Sequence, residues 1–281
     1  MNIHDTVPYF LNHYEPDVSF LRTYYAAFPD IFKVYFSRHC KDTEERHLQS
    51  IRQYSGSFAK IRHVHECIAP IIEDVAESYC TLYAIDLPVD VHLIVGGFGS
   101  NAYMYYRGKT NLVFALEKLS SDRDHLKAIV AHEFGHAVHH VLSERARIDW
   151  SGIRWDSPLV WLFQEGAATY FSRQAAGGLR PSVYLSHDEH GCEWLAFAEA
   201  HKEEIKTAFA EACRIEASDS IYREWFSILG GVRFGRSRLG YYVGDWFMQE
   251  QAARLGEREA VTLWNKPDFE QRVKEWLDRA T

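Results

Sequence analysis

Between residues 16 and 85, apolar and aromatic side chains return every three or four positions, as in Phe20, Leu21, Tyr24, Tyr25 and Phe28 and again in Phe32, Tyr35 and Phe36. That spacing lays one buried stripe along a helix, so the region reads as largely helical. A longer helix is expected from Phe58 to Tyr79, interrupted or kinked near Pro70, which lacks the amide hydrogen a helix interior needs. After Pro88 the pattern changes to the β-branched run Val89-Asp90-Val91-His92-Leu93-Ile94-Val95, a strand. Gly96-Gly97-Phe98-Gly99 follows as a turn with the composition of a mobile flap, and a second strand covers residues 111–117.

Helical periodicity resumes with Leu126, Ile129, Val130, Phe134, Ala137, Val138 and Val141. This helix is expected to run to about Ser143, with Ser120 or Ser121 as its cap and Asp122 and Asp124 in its first turn. Residues 159–171 read as another helix, and further helices are expected at about 193–214, 219–229, 239–254, 257–264 and 267–279. The order predicts an α+β fold, helix-dominated, with a small antiparallel sheet beside the 120–143 helix. Residues 1–88 form an N-terminal helical region and residues 89–281 the remainder, and the two can pack as a single domain.

The chemistry-bearing stretch is Ala131-His132-Glu133-Phe134-Gly135-His136, an H-E-x-x-H signature on that helix. Histidines four residues apart lie about 40° apart around a helix and one turn along it, so both imidazoles can converge on one zinc ion. Glu133 points to the side of the metal, where it can act as general base instead of as a ligand. Gly135 costs such a helix about 1 kcal/mol relative to Ala, which points to another backbone passing close beside it. A catalytic zinc needs a third protein ligand. Position 142, six residues after His136, is Leu, and His139 and His140 continue along the same helix away from the metal. The stronger candidate is Glu165, a carboxylate inside the apolar run 159–171, where an unpaired charge is very costly. Gly166 and Ala167 are expected to let this second helix approach the first.

His-Glu-Phe-Gly-His followed by Trp161-Leu162-Phe163-Gln164-Glu165-Gly166-Ala167-Ala168-Thr169-Tyr170 resembles the gluzincin group of zinc metallopeptidases. The group includes zinc aminopeptidases, thermolysin-like enzymes and small bacterial members predicted to be proteases. The resemblance spans about residues 90–250 and implies a zincin-like catalytic region with one zinc ion per chain. It implies His132, His136 and Glu165 as ligands and Glu133 as base. The connection between His136 and Glu165 is longer here than in that group, and the extra length falls around residues 147–156, an aromatic loop read as a lid or pocket wall. Were Glu165 not the ligand, Glu144 or Asp149 would be next. Tyr241-Tyr242-Val243-Gly244 resembles the Y-x-K-G segment of the aminopeptidases, which implies Tyr241 as a catalytic donor to the oxyanion, although Val243 stands where that pattern has lysine. Packing is the other reading of Tyr241 and Tyr242. Ser100-Asn101-Ala102-Tyr103 resembles the N-A-x-W edge strand of thermolysin-like enzymes, which implies substrate binding at Asn101 and Ala102 through strand addition. Residues 111–117 compete for the role of edge, and there Glu117 would hold a free amino terminus.

Composition narrows the partners. A net charge of −8 without a basic stripe disfavours nucleic acid. No apolar run approaches the eighteen or so residues of a membrane span. The first residues lack a basic n-region and an apolar h-region, and the five cysteines are widely spaced with no C-x-x-C pair, which together predict a reduced, cytoplasmic setting. Residues 187–192, His-Asp-Glu-His-Gly-Cys, have no regular ligand spacing and read as a polar loop. The expected function is zinc-dependent hydrolysis of peptide bonds in a peptide or protein substrate, with endopeptidase and aminopeptidase both open. A zinc-retaining peptide-binding or regulatory module without turnover is the alternative, and a non-peptide acyl substrate is a third reading. Arg236 and Arg238 are either ligands for a substrate carboxylate or surface charges.

Overall fold

A computed structural model describes residues 1–186 and 190–279. Its elements are, in order, β1 (Asn2–Asp5), α1 (Val7–His13), α2 (Val18–Ala27), α3 (Pro29–Arg38), α4 (Glu44–Tyr83), β2 (Val89–Ile94), β3 (Ala102–Tyr106), β4 (Thr110–Ala115), α5 (Arg123–Arg145), α6 (Pro158–Ala175), α7 (Val183–Ser186), α8 (Gly191–Ala200), α9 (Lys202–Ile215), α10 (Ser218–Trp225), α11 (Leu239–Leu255), α12 (Glu257–Val261) and α13 (Phe269–Asp278). The fold is helix-dominated α+β. Two compact units divide the chain inside α5, after Glu133.

In the first unit the four strands form one sheet in the order β1-β2-β4-β3. The sheet is mixed, which corrects the antiparallel expectation: β1 pairs parallel with β2, β2 pairs parallel with β4, and only β3 runs antiparallel to β4. Parallel neighbours need a long crossover, and α1 to α4 provide it between β1 and β2. Strand β1 carries mostly exposed side chains and has no alternating pattern to announce it. Strand β4 is interior and buried throughout, so residues 111–117 are not the edge; the strand ends at Ala115 and Glu117 lies in a 3₁₀ turn. The outer strands are β1 and β3.

Helix α4 is longer than its sequence signal and runs unbroken through Pro70. The buried stripe over its first turns is His47, Ser50 and Tyr54, residue types that an apolar period does not register. Downstream, the tyrosine Oη of Tyr79 donates to the carbonyl of Ala131 at 2.7 Å, which anchors the backbone of α5 one residue before His132. The Gly96–Gly99 segment is no mobile flap. Glu117 accepts from the amides of Gly96 and Phe98 at 2.9 and 3.1 Å, and the Tyr35 hydroxyl accepts from Gly97 and Gly99 at 2.9 and 3.0 Å. Burial lifts the Glu117 carboxyl to about 7, against the pull of those two amides. A carboxylate so committed is not a receptor for a substrate's amino terminus.

In the second unit α6 and α11 meet backbone to backbone. A Cβ on Gly166 would lie 2.2 Å from the carbonyl oxygen of Gly244, and one on Gly244 would lie 2.4 Å from that of Leu162. Arg173 and Asp245 tie the same pair of helices at 2.6 Å, with the Asp245 side chain almost fully buried. Gly166 therefore serves the α6–α11 contact and not, as expected, the approach to the metal-motif helix. The expected helix at 193–214 is two helices, α8 and α9, separated at His201. That at 257–264 stops at Val261 and gives way to a 3₁₀ turn.

Candidate metal centre

Helix α5 is capped by Asp122, not by Ser120 or Ser121: Asp122 Oδ1 accepts from the amides of Asp124 at 2.8 Å and His125 at 3.1 Å. With its start so fixed, the helix buries Leu126, Ala128, Ile129, Val130, Phe134, Ala137 and Val138. The same winding brings His132 and His136 one turn apart on one face. Gly135, on α5, sits against α6: an added Cβ would lie 2.8 Å from the carbonyl oxygen of Ala168 and 3.1 Å from its Cα. This is the close backbone approach that a glycine beside the motif requires. It brings Glu165, one turn before Ala168, to His136, with Glu165 Oε2 3.5 Å from His136 Nε2.

His132, His136 and Glu165 each offer one ligand atom, and these atoms all lie within 4.8 Å of one another. Ligands about 2.0–2.1 Å from a tetrahedral zinc stand about 3.3 Å apart, so the His136–Glu165 separation already matches such a site. Two imidazoles and one carboxylate are a donor set that suits zinc with a position left open for water or substrate. His132 is 3% exposed and Glu133 7%, while the side chains of His136 and Glu165 are 13% and 22% exposed. The centre is thus buried on one side and reachable on the other.

The neighbouring histidines do other work. His139 is buried, bonds the Val261 carbonyl through Nε2 at 2.8 Å and stacks on Trp264 with ring centroids 4.2 Å apart. Burial pushes its imidazole down to about 3. His140 stacks on Trp150 at 4.5 Å and faces Glu144 at 3.3 Å. Asp149 accepts from the amide and hydroxyl of Ser151. Neither Glu144 nor Asp149 belongs to the ligand cluster. The 147–156 loop folds back onto α5 through Trp150 and onto α6 through Trp161, whose Nε1 donates to the Trp155 carbonyl at 2.7 Å. It also walls a cavity of about 470 Å³ with Trp264, Asn265 and Phe269.

Tyr241 lies in the first turn of α11, its ring under the Arg238 guanidinium at 4.2 Å and 6.2 Å from the ring of Phe226. It shares a face with Gly244, the residue that meets α6. Tyr242 points elsewhere, toward Trp194 at 6.4 Å, with its phenol raised to about 12 by burial. Arg238 is occupied by that stacking and Arg236 stacks on Phe197 at 5.4 Å. Nothing in its local pattern singles out Tyr222 among 16 tyrosines. Its ring packs edge-on against Trp161, one turn before Glu165 on α6, with centroids 5.2 Å apart. Burial and the Glu165 charge together raise its phenol. Only the packing of α10 beside α6 makes this neighbour visible.

Asn101 and Ala102 stand at the start of β3. The Asn101 carbonyl accepts from Ala115 at 2.8 Å, and its side chain accepts from the Ala102 amide at 2.9 Å. Of residues 187–192, positions 187–189 lie outside the described residues. No helix among the described residues is long and apolar enough to cross a membrane. No family model, curated protein or solved structure matches this chain.

Proposed function

We propose that this chain is a zinc-dependent peptidase. The observation that carries the reading is the convergence of His132, His136 and Glu165 within 4.8 Å, with a buried Glu133 beside them on the same helix. A bound zinc ion would polarise a scissile carbonyl and make water a nucleophile near neutral pH. A module that only bound peptides would have no use for Glu133. In this scheme Glu133 takes the proton from the attacking water and hands it to the leaving amine. Tyr241 on α11, or Tyr222 packed on Trp161 one turn before Glu165, would donate to the oxygen that gains charge. The β3 edge offers main-chain groups for pairing with an extended substrate, with Asn101 holding the turn into that strand.

The test is metal analysis together with digestion of a peptide mixture before and after chelation and zinc repletion. One zinc per chain and cleavage that disappears with the metal and returns with it are expected. Saturable peptide binding without cleavage by the zinc-loaded protein would replace the peptidase by the binding module.

A further inference from the structure

Helices α2 and α3 and the first turn of α4 enclose a cavity of about 290 Å³ in the first unit. Its walls are the rings of Tyr25, Phe32 and Phe36, with Tyr25 4.6 and 4.8 Å from the other two. His47 lies at its inner end, the imidazole 5.6 Å from the ring of Tyr25 and 6.0 Å from that of Phe36. That imidazole is 3% exposed, while the side chains of Arg22 and Asp42, which also line the cavity, are 63% and 64% exposed. Lys33 is exposed as well. The cavity thus runs from a charged mouth to a buried imidazole. A dry cavity of about 150 Å³ accepts benzene, so this one has room for a ring with a substituent at each end.

His47 is the group that the fold leaves unexplained. Its Nε2 faces Asp42 Oδ1 at 3.2 Å, and its Nδ1 is buried without a hydrogen-bond partner. Burial holds the imidazole below its ordinary value against the pull of Asp42, so the ring is neutral near pH 7. With the one ring proton on Nε2, toward Asp42, Nδ1 is a lone pair that calls for a donor. The great majority of buried polar atoms are bonded, and one left over at the inner end of a cavity points to a ligand atom. The mouth selects the charge. Arg22 is shared with Glu44 at 3.3 Å and Asp42 with His47, whereas Lys33 has no carboxylate partner among the described residues. An anion entering here meets Lys33 and Arg22 as opposite charges, and an ammonium meets them as like ones. The stretch between mouth and His47 favours an aromatic ring, which gains edge and face contacts with Tyr25, Phe32 and Phe36 beyond simple burial.

We propose that this cavity binds a small aromatic acid with a hydroxyl or N–H at the end away from its carboxylate. The carboxylate sits at Lys33 and Arg22, the ring among Tyr25, Phe32 and Phe36, and the donor on His47 Nδ1. The site shares no residue with the metal cluster and stands apart from the peptidase reading. The probe is 4-hydroxyphenylacetate, titrated calorimetrically into the zinc-loaded full chain. Saturable binding of one molecule per chain is expected. Phenylacetate, which lacks the hydroxyl, should bind about three- to tenfold more weakly, and tyramine, which has an ammonium in place of the carboxylate, more weakly still. Lys33→Glu should cost about fivefold or more. Ala26→Trp, at an exposed helical position on the cavity wall, should close the site. His47→Phe should bind 4-hydroxyphenylacetate and phenylacetate alike, because only the acceptor is gone. No saturation below about 10 mM, or tyramine bound as tightly as the acid, overturns the site. So does full affinity in both Lys33→Glu and Ala26→Trp, and if that affinity is lost on chelation the carboxylate was bound at the metal instead. Equal affinity for 6-hydroxyhexanoate would overturn the ring recognition, and a hydroxyl preference kept in folded His47→Phe would overturn Nδ1 as the acceptor.

Discussion

Replacing Gly135 by alanine should damage the metal centre more than the fold. The new Cβ would stand 2.8 Å from the Ala168 oxygen, 3.1 Å from its Cα and 3.3 Å from Phe171 Cβ. Two of these are backbone atoms of α6 and cannot swing away as a side-chain tip could. Restoring ordinary contact requires α6 to retreat by roughly half an ångström. The His136–Glu165 separation, now 3.5 Å, would widen by a similar amount, beyond what one tetrahedral ion spans comfortably. Overpacking costs about 1–3 kcal/mol, while the better helix propensity of alanine returns about 1 kcal/mol, so the apo-protein should lose about 0–2 kcal/mol. Zinc affinity should fall about 10–100-fold, the usual penalty for disturbing the support of a ligand. Competition against a chromophoric chelator measures the affinity, and thermal unfolding of the metal-free protein measures the stability. Gly56→Ala supplies the reference. Gly56 is exposed in α4 with nothing within 4 Å of an added Cβ, so that variant should gain about 1 kcal/mol and keep its zinc affinity. Undiminished zinc affinity in Gly135→Ala would refute the idea that the α5–α6 approach sets the ligand spacing.

His136→Ala and Glu165→Ala should each empty the site by metal analysis; full zinc occupancy retained in both would remove the ligand assignment. Glu133→Gln should keep zinc and lose about 10²–10⁴-fold in hydrolysis, and wild-type turnover would show that Glu133 is not the base. Tyr241→Phe should lower kcat about 10²–10³-fold with little change in KM, whereas Tyr242→Phe, facing Trp194, should be mild. A silent Tyr241→Phe beside a dead Tyr222→Phe would move the oxyanion donor to α10. Glu117 holds its proton in the folded chain up to about pH 7, while the unfolded chain releases it near 4.5. Its contribution to stability therefore falls as pH rises through that window, by about 3 kcal/mol, and is flat above it. Glu117→Gln should remove this slope from a pH series of denaturant titrations, and identical slopes in the two proteins would contradict it.

The sequence by itself determined the elements whose signal is local. The helix carrying His132 and His136 was legible because apolar residues at helical spacing and the four-residue gap between ligands sit within a few turns. Glu165 was legible because a carboxylate in an apolar run demands a partner. The helix-dominated α+β class followed from the alternation of periods. What pairs over distance was not legible. Strand β1 lies more than eighty residues from the strand it joins, Asn2 opposite Asp90, and its exposed polar side chains give no alternating pattern. Nor does any local pattern announce that β2 pairs parallel with β4, past the intervening β3. The first turns of α4 bury His47, Ser50 and Tyr54, which a count of apolar positions passes over. Gly96–Gly99 has the composition of a flap, and only the arrival of Glu117 and Tyr35 from other elements makes it rigid. Glycine marked Gly135 and Gly166 alike as sites of close approach, but tertiary packing alone assigned the first to α6 and the second to α11. Tyr222 beside Glu165 belongs to the same class. Periodicity encodes which face of an element is buried, and the identity of the neighbour on that face is a property of the assembled chain.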